Sequence, residues 1–276
     1  RYCGQDVVAE MAVETRLAPW PMPDLEWRLW QLDQRINMTG VRIDQQLVQN
    51  AIHINSKVVE DLRAEAVELS GLDNPNSVSQ LKAWLQEETE QELAGVTKES
   101  VKALIKSTDD ETVLRVLAIR QELGKTSIKK YAAMSAVAGS DDRARGLLQF
   151  YGASRTGRWA GRLIQVQNLP KNYLEAELLD RARELVKAGK LNALKVIYGN
   201  IPDTLSQLIR TAFIPSDGNV FMIADFSAIE ARVIAWLAGE QWRQDVFATH
   251  GKIYEASASA MFGVPLELIK KGNPEY

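Results

Sequence analysis

Residues 220–239 constrain this chain more than any other stretch: Val-Phe-Met-Ile-Ala-Asp-Phe-Ser-Ala-Ile-Glu-Ala-Arg-Val-Ile-Ala-Trp-Leu-Ala-Gly. The apolar run 220–224 reads as a buried strand that ends in one carboxylate, Asp225. A strand that delivers an acid at its C-terminal end is a common way to place a metal ligand on a rigid base. A helical pattern follows, with Ile229, Val233, Ile234 and Leu237 on one face. Glu230 stands one helical turn beyond Asp225, close enough to face the same site. A strand-end acid on its own is as readily structural as functional.

The run resembles the first catalytic motif of family A DNA polymerases, Asp-Tyr-Ser-Gln-Ile-Glu-x-Arg. Here it reads Asp225-Phe226-Ser227-Ala228-Ile229-Glu230-Ala231-Arg232, and five of the seven defined positions match. The resemblance implies that Asp225, with a second acid much later in the family's chain, holds two Mg²⁺ ions. One lowers the pKa of the primer 3′-hydroxyl, and the other holds the triphosphate and the leaving pyrophosphate. It also implies that the backbone carbonyl of Phe226 binds metal and that Glu230 crowds the sugar 2′ position, disfavouring ribonucleotides. Arg232 is expected to pair with an acid.

At 276 residues the chain can bury a sizeable core and is expected to hold two domains. Hydrophobic residues at 46% and charged residues at 25% place it among soluble globular proteins. One cysteine and two histidines exclude a disulfide framework and a Cys/His zinc site. Cys3 is expected as a reduced thiol. The sequence shows no transmembrane-length apolar run and no signal peptide, so the expectation is a cytoplasmic protein without a membrane partner. The first residue is Arg1 and the last stretch, 272–276, ends without a terminal element, so the sequence reads as a piece of a longer protein. Charge is split along the chain. Residues 58–111 hold 5 basic and 13 acidic side chains, and residues 115–170 hold 10 basic and 3 acidic. A polyanion would be met by the second window.

Trp20-Pro21-Met22-Pro23 marks a junction. Asp24 is expected to cap a helix to about Asn37, with Leu25, Leu29, Leu32 and Ile36 toward the core. A short strand is expected over 41–43, then a long helix from the Asp44 cap to about Leu69, ended by Gly71. Ser77 and Thr97 open further helices, and Asp109 or Asp110 opens one running to about Val137. A strand is expected over 147–151, irregular backbone over 152–170, and a helix over 174–188. Asp203 is expected to cap a helix through Thr211, and three helices follow near 228–238, 241–249 and 252–262.

Other stretches carry the resemblance further. Arg155-Thr156-Gly157-Arg158 with Gln167-Asn168-Leu169-Pro170 is similar to the family's Thr-Gly-Arg and Gln-Asn-Ile-Pro runs. An arginine and amides near the primer end donate to purine N3 and pyrimidine O2, acceptors present on every base pair. The resemblance implies this role for Arg158, Gln167 and Asn168, with Arg155 and Arg162 on phosphate. Trp159-Ala160-Gly161 stands where the family has Leu-Ser-Ser. Residues 123–131 resemble the Lys/Ser/Thr-rich end of the family's thumb helix, implying duplex-backbone contacts by Lys125, Ser127, Lys129 and Lys130. Lys252 and Tyr254 occupy the outer places of a segment where the family often has Asp-Ile-His near the nucleotide phosphates. Tyr254 is thus a candidate nucleotide contact, with helix packing as the other reading. Residues 258–265 resemble phage members of the family. Tyr2 and Asp6 have the Tyr-x-x-x-Asp spacing of the last motif of proofreading 3′–5′ exonucleases, which implies a metal at Asp6 and a water oriented by Tyr2.

The implied fold is α+β and mostly helical: a helical thumb plus a partial antiparallel-sheet palm of a right-hand polymerase. The implied domains are the end of an exonuclease and a linker over 1–23, a thumb with a short palm segment over 24–145, and partial palm with the first fingers helices over 146–276. The resemblance implies no role for residues 171–203, which are longer than the family's usual link. The implied function is template-directed DNA synthesis on primer-template DNA from deoxynucleoside triphosphates. The family's nucleotide-gripping fingers helix and second catalytic acid do not occur in the sequence, so the chain alone is expected to be inactive. Two alternatives stand beside this. One is a non-catalytic DNA-binding module of the same fold. The other is a single-subunit RNA polymerase, against which Glu230 argues.

Overall fold

In the computed structural model, residues 2–93, 95–270 and 273 are described; Arg1 and most of 271–276 lie outside them. The chain forms two compact units, residues 1–219 and 220–276. Among the described residues, no helix is long and apolar enough to cross a membrane.

The first unit opens with α1 (Tyr2–Leu17), which buries none of its side chains. In α2 (Asp24–Thr39), Pro23 takes the N-cap position and makes no side-chain bond, so Asp24 is the first helical residue and not the cap. The face expected in the core is largely open, with Leu25, Leu32 and Ile36 exposed. Asp33 is the one buried residue of this helix. The physical reason is that α2 packs against a hairpin by its polar edge, described below.

Strand β1 (Val41–Ile43) leads into α3 (Gln45–Ser70), the axis of the unit. Asp44 caps α3 by accepting from the Leu47 amide at 3.1 Å, and Gly71 ends it in the left-handed conformation. Leu47, Val48, Ala51, Ile54, Val58 and Leu62 line its buried face at helical spacing. The helices α4 (Val78–Thr89), α5 (Lys98–Ser107) and α6 (Glu111–Leu123) follow. They gather a second core around Leu81, Trp84, Leu85, Leu104 and Leu117. Ser77, Thr97 and Asp110 cap these helices through their side chains. The long helix expected to reach Val137 is broken. It stops at Leu123, makes one tight turn over Thr126–Ile128 and resumes as α7 (Lys129–Val137). Gly124 weakens the helix there, and the turn buries Ile128.

Three antiparallel strands form a small sheet, β2 (Arg143–Ala144), β1 and β5 (Phe213–Ile214), with β1 in the centre. Arg42 pairs with Arg143 on one side and Ile214 on the other. A separate hairpin joins β3 (Leu148–Ala153) to β4 (Arg158–Gly161), with Leu148 opposite Gly161 and Ala153 opposite Arg158. β4 lies where irregular backbone was expected. Gly152 of β3 lets the two strands approach closely: a Cβ on it would sit 2.4 Å from the Ala160 Cβ of β4. The stretch 171–203 holds α8 (Ala176–Lys187) and α9 (Leu191–Tyr198). Both pack into the main core through Ala182, Val186 and Leu194. α10 (Ile201–Leu208) is capped by Asn200, which accepts from the Asp203 amide at 2.9 Å, so Asp203 is not the cap.

The second unit holds α11 (Ile229–Leu237), α12 (Gln241–Thr249) and α13 (Ile253–Phe262), close to the expected bounds. The buried strand expected over 220–224 is not formed. The segment has no regular secondary structure, and Val220, Met222 and Ile223 are 77%, 92% and 91% exposed. A strand needs a neighbour to satisfy its backbone, and among the described residues none pairs with this run.

Candidate functional site

The β3–β4 hairpin carries the first group of candidate residues. Its tip is closed by the Thr156 and Gly157 amides, which donate to the Ala153 carbonyl at 3.0 and 2.9 Å. Gly157 has φ +66°, and the ring of Tyr151 lies directly against it. The Tyr151 hydroxyl donates to Glu26 Oε1 at 2.9 Å, and that carboxylate raises the Tyr151 pKa. Arg158 opens β4 and Arg155 lies in the tip; both are exposed. Gln167 and Asn168 lie on a tight turn over Val166–Asn168, exposed like the arginines. The turn packs on β4 through Gly161, where a Cβ would fall 2.0 Å from Gln167 Oε1. The turn that carries Gln167 and Asn168 thus meets β4 at Gly161, the opposite end of the strand from Arg158.

Arg210 was not singled out in the sequence. Its guanidinium donates to the carbonyls of Pro170 at 2.7 Å and Leu169 at 3.0 Å, latching the Gln167–Pro170 stretch onto the end of α10. A cation placed between buried Ile209 and Ala212 was the available signal.

The basic group on residues 125–130 is mostly tied to the protein itself. Lys125 pairs with Asp203, which also accepts from the Tyr173 hydroxyl and, at 3.1 Å, from Gln207. Desolvation pushes the Asp203 carboxyl up, but the Lys125, Tyr173 and Gln207 hydrogen bonds outweigh it and hold it below the ordinary value. Hydrogen bonding to Asp203 pushes Tyr173 up to about 12. Ser127 Oγ lies 2.8 Å from Ser206 Oγ. Lys130 donates to the Ile164 carbonyl at 2.7 Å. Lys129 is exposed and lines a cleft of about 290 Å³ with Arg63, Asn55 and Asn76.

The second unit carries Asp225, Phe226, Glu230 and Tyr254. Asp225 sits in the irregular segment before α11, exposed. The chain turns into α11 through Ala228, which adopts φ +50°, and Arg232 donates back to the Ser227 carbonyl at 2.8 Å. The Arg232 guanidinium also stacks 4.4 Å from the Phe247 ring. Among the described residues, these contacts stand where an acid partner was expected for Arg232. Glu230 stands in the first turn of α11, where a negative charge suits the helix dipole. It borders a shallow groove of about 320 Å³ with Ile229, Val233 and Ile234. Tyr254 is 78% exposed on α13. On α1, Tyr2 and Asp6 stand one turn apart and exposed.

The Asp225 carboxylate and the Phe226 carbonyl are hard oxygen donors of the kind Mg²⁺ takes. Among the described residues, no group of three or more His, Cys, Asp or Glu side chains could hold a metal ion. The donors fit the ion in kind and are incomplete in number.

A model of DNA polymerase family A matches residues 45–273. The chain belongs to DNA polymerase family A. A DNA polymerase of Bacillus phage SP02 is 58% identical over 273 residues, covering 99% of this chain and 42% of the relative. That relative bears out the expected likeness to phage members of the family. The family A relatives include the DNA polymerase I of Pseudomonas aeruginosa, 29% identical over 252 residues, covering 89% of this chain and 24% of its own. The chain thus spans less than half of the length of these relatives. The POL domain of Pol1 from M. smegmatis, solved in complex with DNA primer-template and dNTP, matches with a TM-score of 0.55 at 21% identity. It covers 84% of this chain and 37% of that one, and it supports the mostly helical family A fold.

Proposed function

We propose that this chain is part of a template-directed DNA polymerase that adds deoxynucleotides to a primer on a DNA template in the cytoplasm. The observation that carries the reading is the packing of the Val166–Asn168 turn, through Gln167, against Gly161 of β4, the strand that Arg158 opens. In this reading Arg158, Gln167 and Asn168 donate to the N3 and O2 acceptors common to all base pairs, and so inspect pairing at the primer end without reading sequence. Arg155 and Lys129 add phosphate contacts.

Asp225 and the Phe226 carbonyl are the residues that would hold magnesium, two ions in the complete enzyme, with a second acid outside this sequence. Bound there, the metal activates the primer hydroxyl and offsets the charge of the triphosphate. Glu230 guards the sugar 2′ position, and Tyr254 lies open for a nucleotide phosphate. Residues 1–23 read as the end of an exonuclease domain, with Tyr2 and Asp6 from its site. Residues 24–145 read as thumb, and 146–276 as part of palm and fingers.

Primer extension tests this reading. The complete polymerase carrying this chain extends a primer as the template dictates, and the 276-residue chain alone does not, because it lacks one member of the metal-binding pair. Extension by the isolated chain at a rate near that of the complete enzyme contradicts the incomplete-site account.

A further inference from the structure

α2 meets the hairpin through a polar stripe. Glu26, Asp33 and Asn37 stand at positions i, i+7 and i+11, on one side of the helix. Asn37 holds the Leu148 backbone from both sides, Nδ2 donating to its carbonyl at 3.0 Å and Oδ1 accepting from its amide at 3.0 Å. Asp33, only 3% exposed, accepts from the Trp159 indole N–H at 2.9 Å and from Gln34 at 3.1 Å. Glu26 accepts from the Tyr151 hydroxyl.

Trp159 follows Arg158 directly, and Tyr151 rests on Gly157, which precedes it. Phe150 couples the two, edge-to-face with Tyr151 at 4.8 Å and with Trp159 at 5.4 Å. A carboxylate taken out of water is costly unless it is well bonded, and in return it adds a direction that packing lacks. The bond to Asp33 fixes the rotation of the indole, and so the place where β4 begins.

We propose that Asp33 and Glu26 are positioning residues: acting through Trp159 and Tyr151, they set where Arg158 meets the primer end. The proposal rests on the polymerase reading above. The test uses the complete polymerase carrying this chain, with Trp159→Phe, Asp33→Ala and Asp33→Asn, each made alone and with Arg158→Ala. The readouts are kcat/KM for extension of a paired primer end and the thermal midpoint. Trp159→Phe and Asp33→Ala are expected to lower kcat/KM about tenfold, as small misplacements do. With Arg158 already removed they should lower it less than about twofold, because coupled residues are non-additive. Asp33→Asn, which keeps an acceptor for the indole, should retain most of the activity. Equal losses in both backgrounds, tracking the midpoint, would mark the stripe as purely structural and overturn the proposal. Trp159→Phe keeps the test open where Asp33→Ala fails to fold. An unchanged kcat/KM in Arg158→Ala alone overturns the reading of the hairpin and the proposal with it. A loss in Arg158→Ala with none in Trp159→Phe overturns the positioning role only.

Discussion

Tyr151 lies on Gly157 so closely that a Cβ built on the glycine would stand 2.8 Å from Cε1 of the ring. Gly157 also needs its positive φ to turn the hairpin. Gly157→Ala should therefore destabilise the fold by about 1–2 kcal/mol from backbone strain alone, with more if the ring cannot move. Urea unfolding of the wild-type and variant chains measures it, and equal midpoints would contradict the contact.

Lys129 and Lys130 are neighbours with different tasks. Lys129 is exposed, so Lys129→Ala should lower duplex affinity and flatten its salt dependence by up to about one unit of slope. Lys130 donates to the Ile164 carbonyl, so Lys130→Ala should lower stability by about 1–2 kcal/mol and change the salt slope little. Arg158→Ala should weaken extension on all sequences alike. DNA titrations at several salt concentrations, set beside thermal unfolding, separate the three. A salt-slope loss in Lys130→Ala with unchanged stability would return Lys130 to the DNA-contact group.

Asp203 makes stability depend on acid. Its folded pKa is held below the unfolded value of about 3.9, so its contribution is present above that pH and lost as pH falls through the lowered value. Asp203→Asn should be clearly less stable than wild type at pH 7, and the gap should narrow by pH 3. Urea midpoints at the two pH values check this, and a gap that stays constant contradicts the Lys125–Asp203–Tyr173 network.

Glu230→Ala should raise ribonucleotide incorporation by the complete polymerase, because discrimination built on exclusion is lost with the excluding atoms. The ratio of kcat/KM for ribonucleotide and deoxynucleotide is the measurement. An unchanged ratio removes Glu230 from the gate.

What was legible in the sequence was local. The caps at Asp44, Ser77, Thr97 and Asp110 and the stop at Gly71 are decided within a few residues, and the structure has all of them. Asp24 misled because Pro23 takes the cap place beside it. Elements that depend on distant partners were missed. β4 reads as glycine-rich loop until β3 is placed beside it, and α9 is only eight residues long. The face of α2 was chosen by its leucines, but the contacts that bury this helix come from Tyr151 and Trp159, more than a hundred residues away. The 220–224 run was assigned by apolar content, yet a strand forms only against a neighbour. At Asp225, Glu230 and Arg158 the candidate site rests on residue identity and motif spacing alone. The pairing of Lys125 with Asp203 was hidden, because 171–203 carried no pattern that tied it to α6.

The central claim is that Asp225 serves nucleotide transfer and not the grip on DNA. The decisive measurement is Asp225→Asn in the complete polymerase, with primer extension and primer-template affinity read on the same preparation. The account predicts that extension falls by several orders of magnitude while affinity stays within about twofold of wild type. Extension that persists at the wild-type rate, or affinity that collapses together with activity, would contradict it.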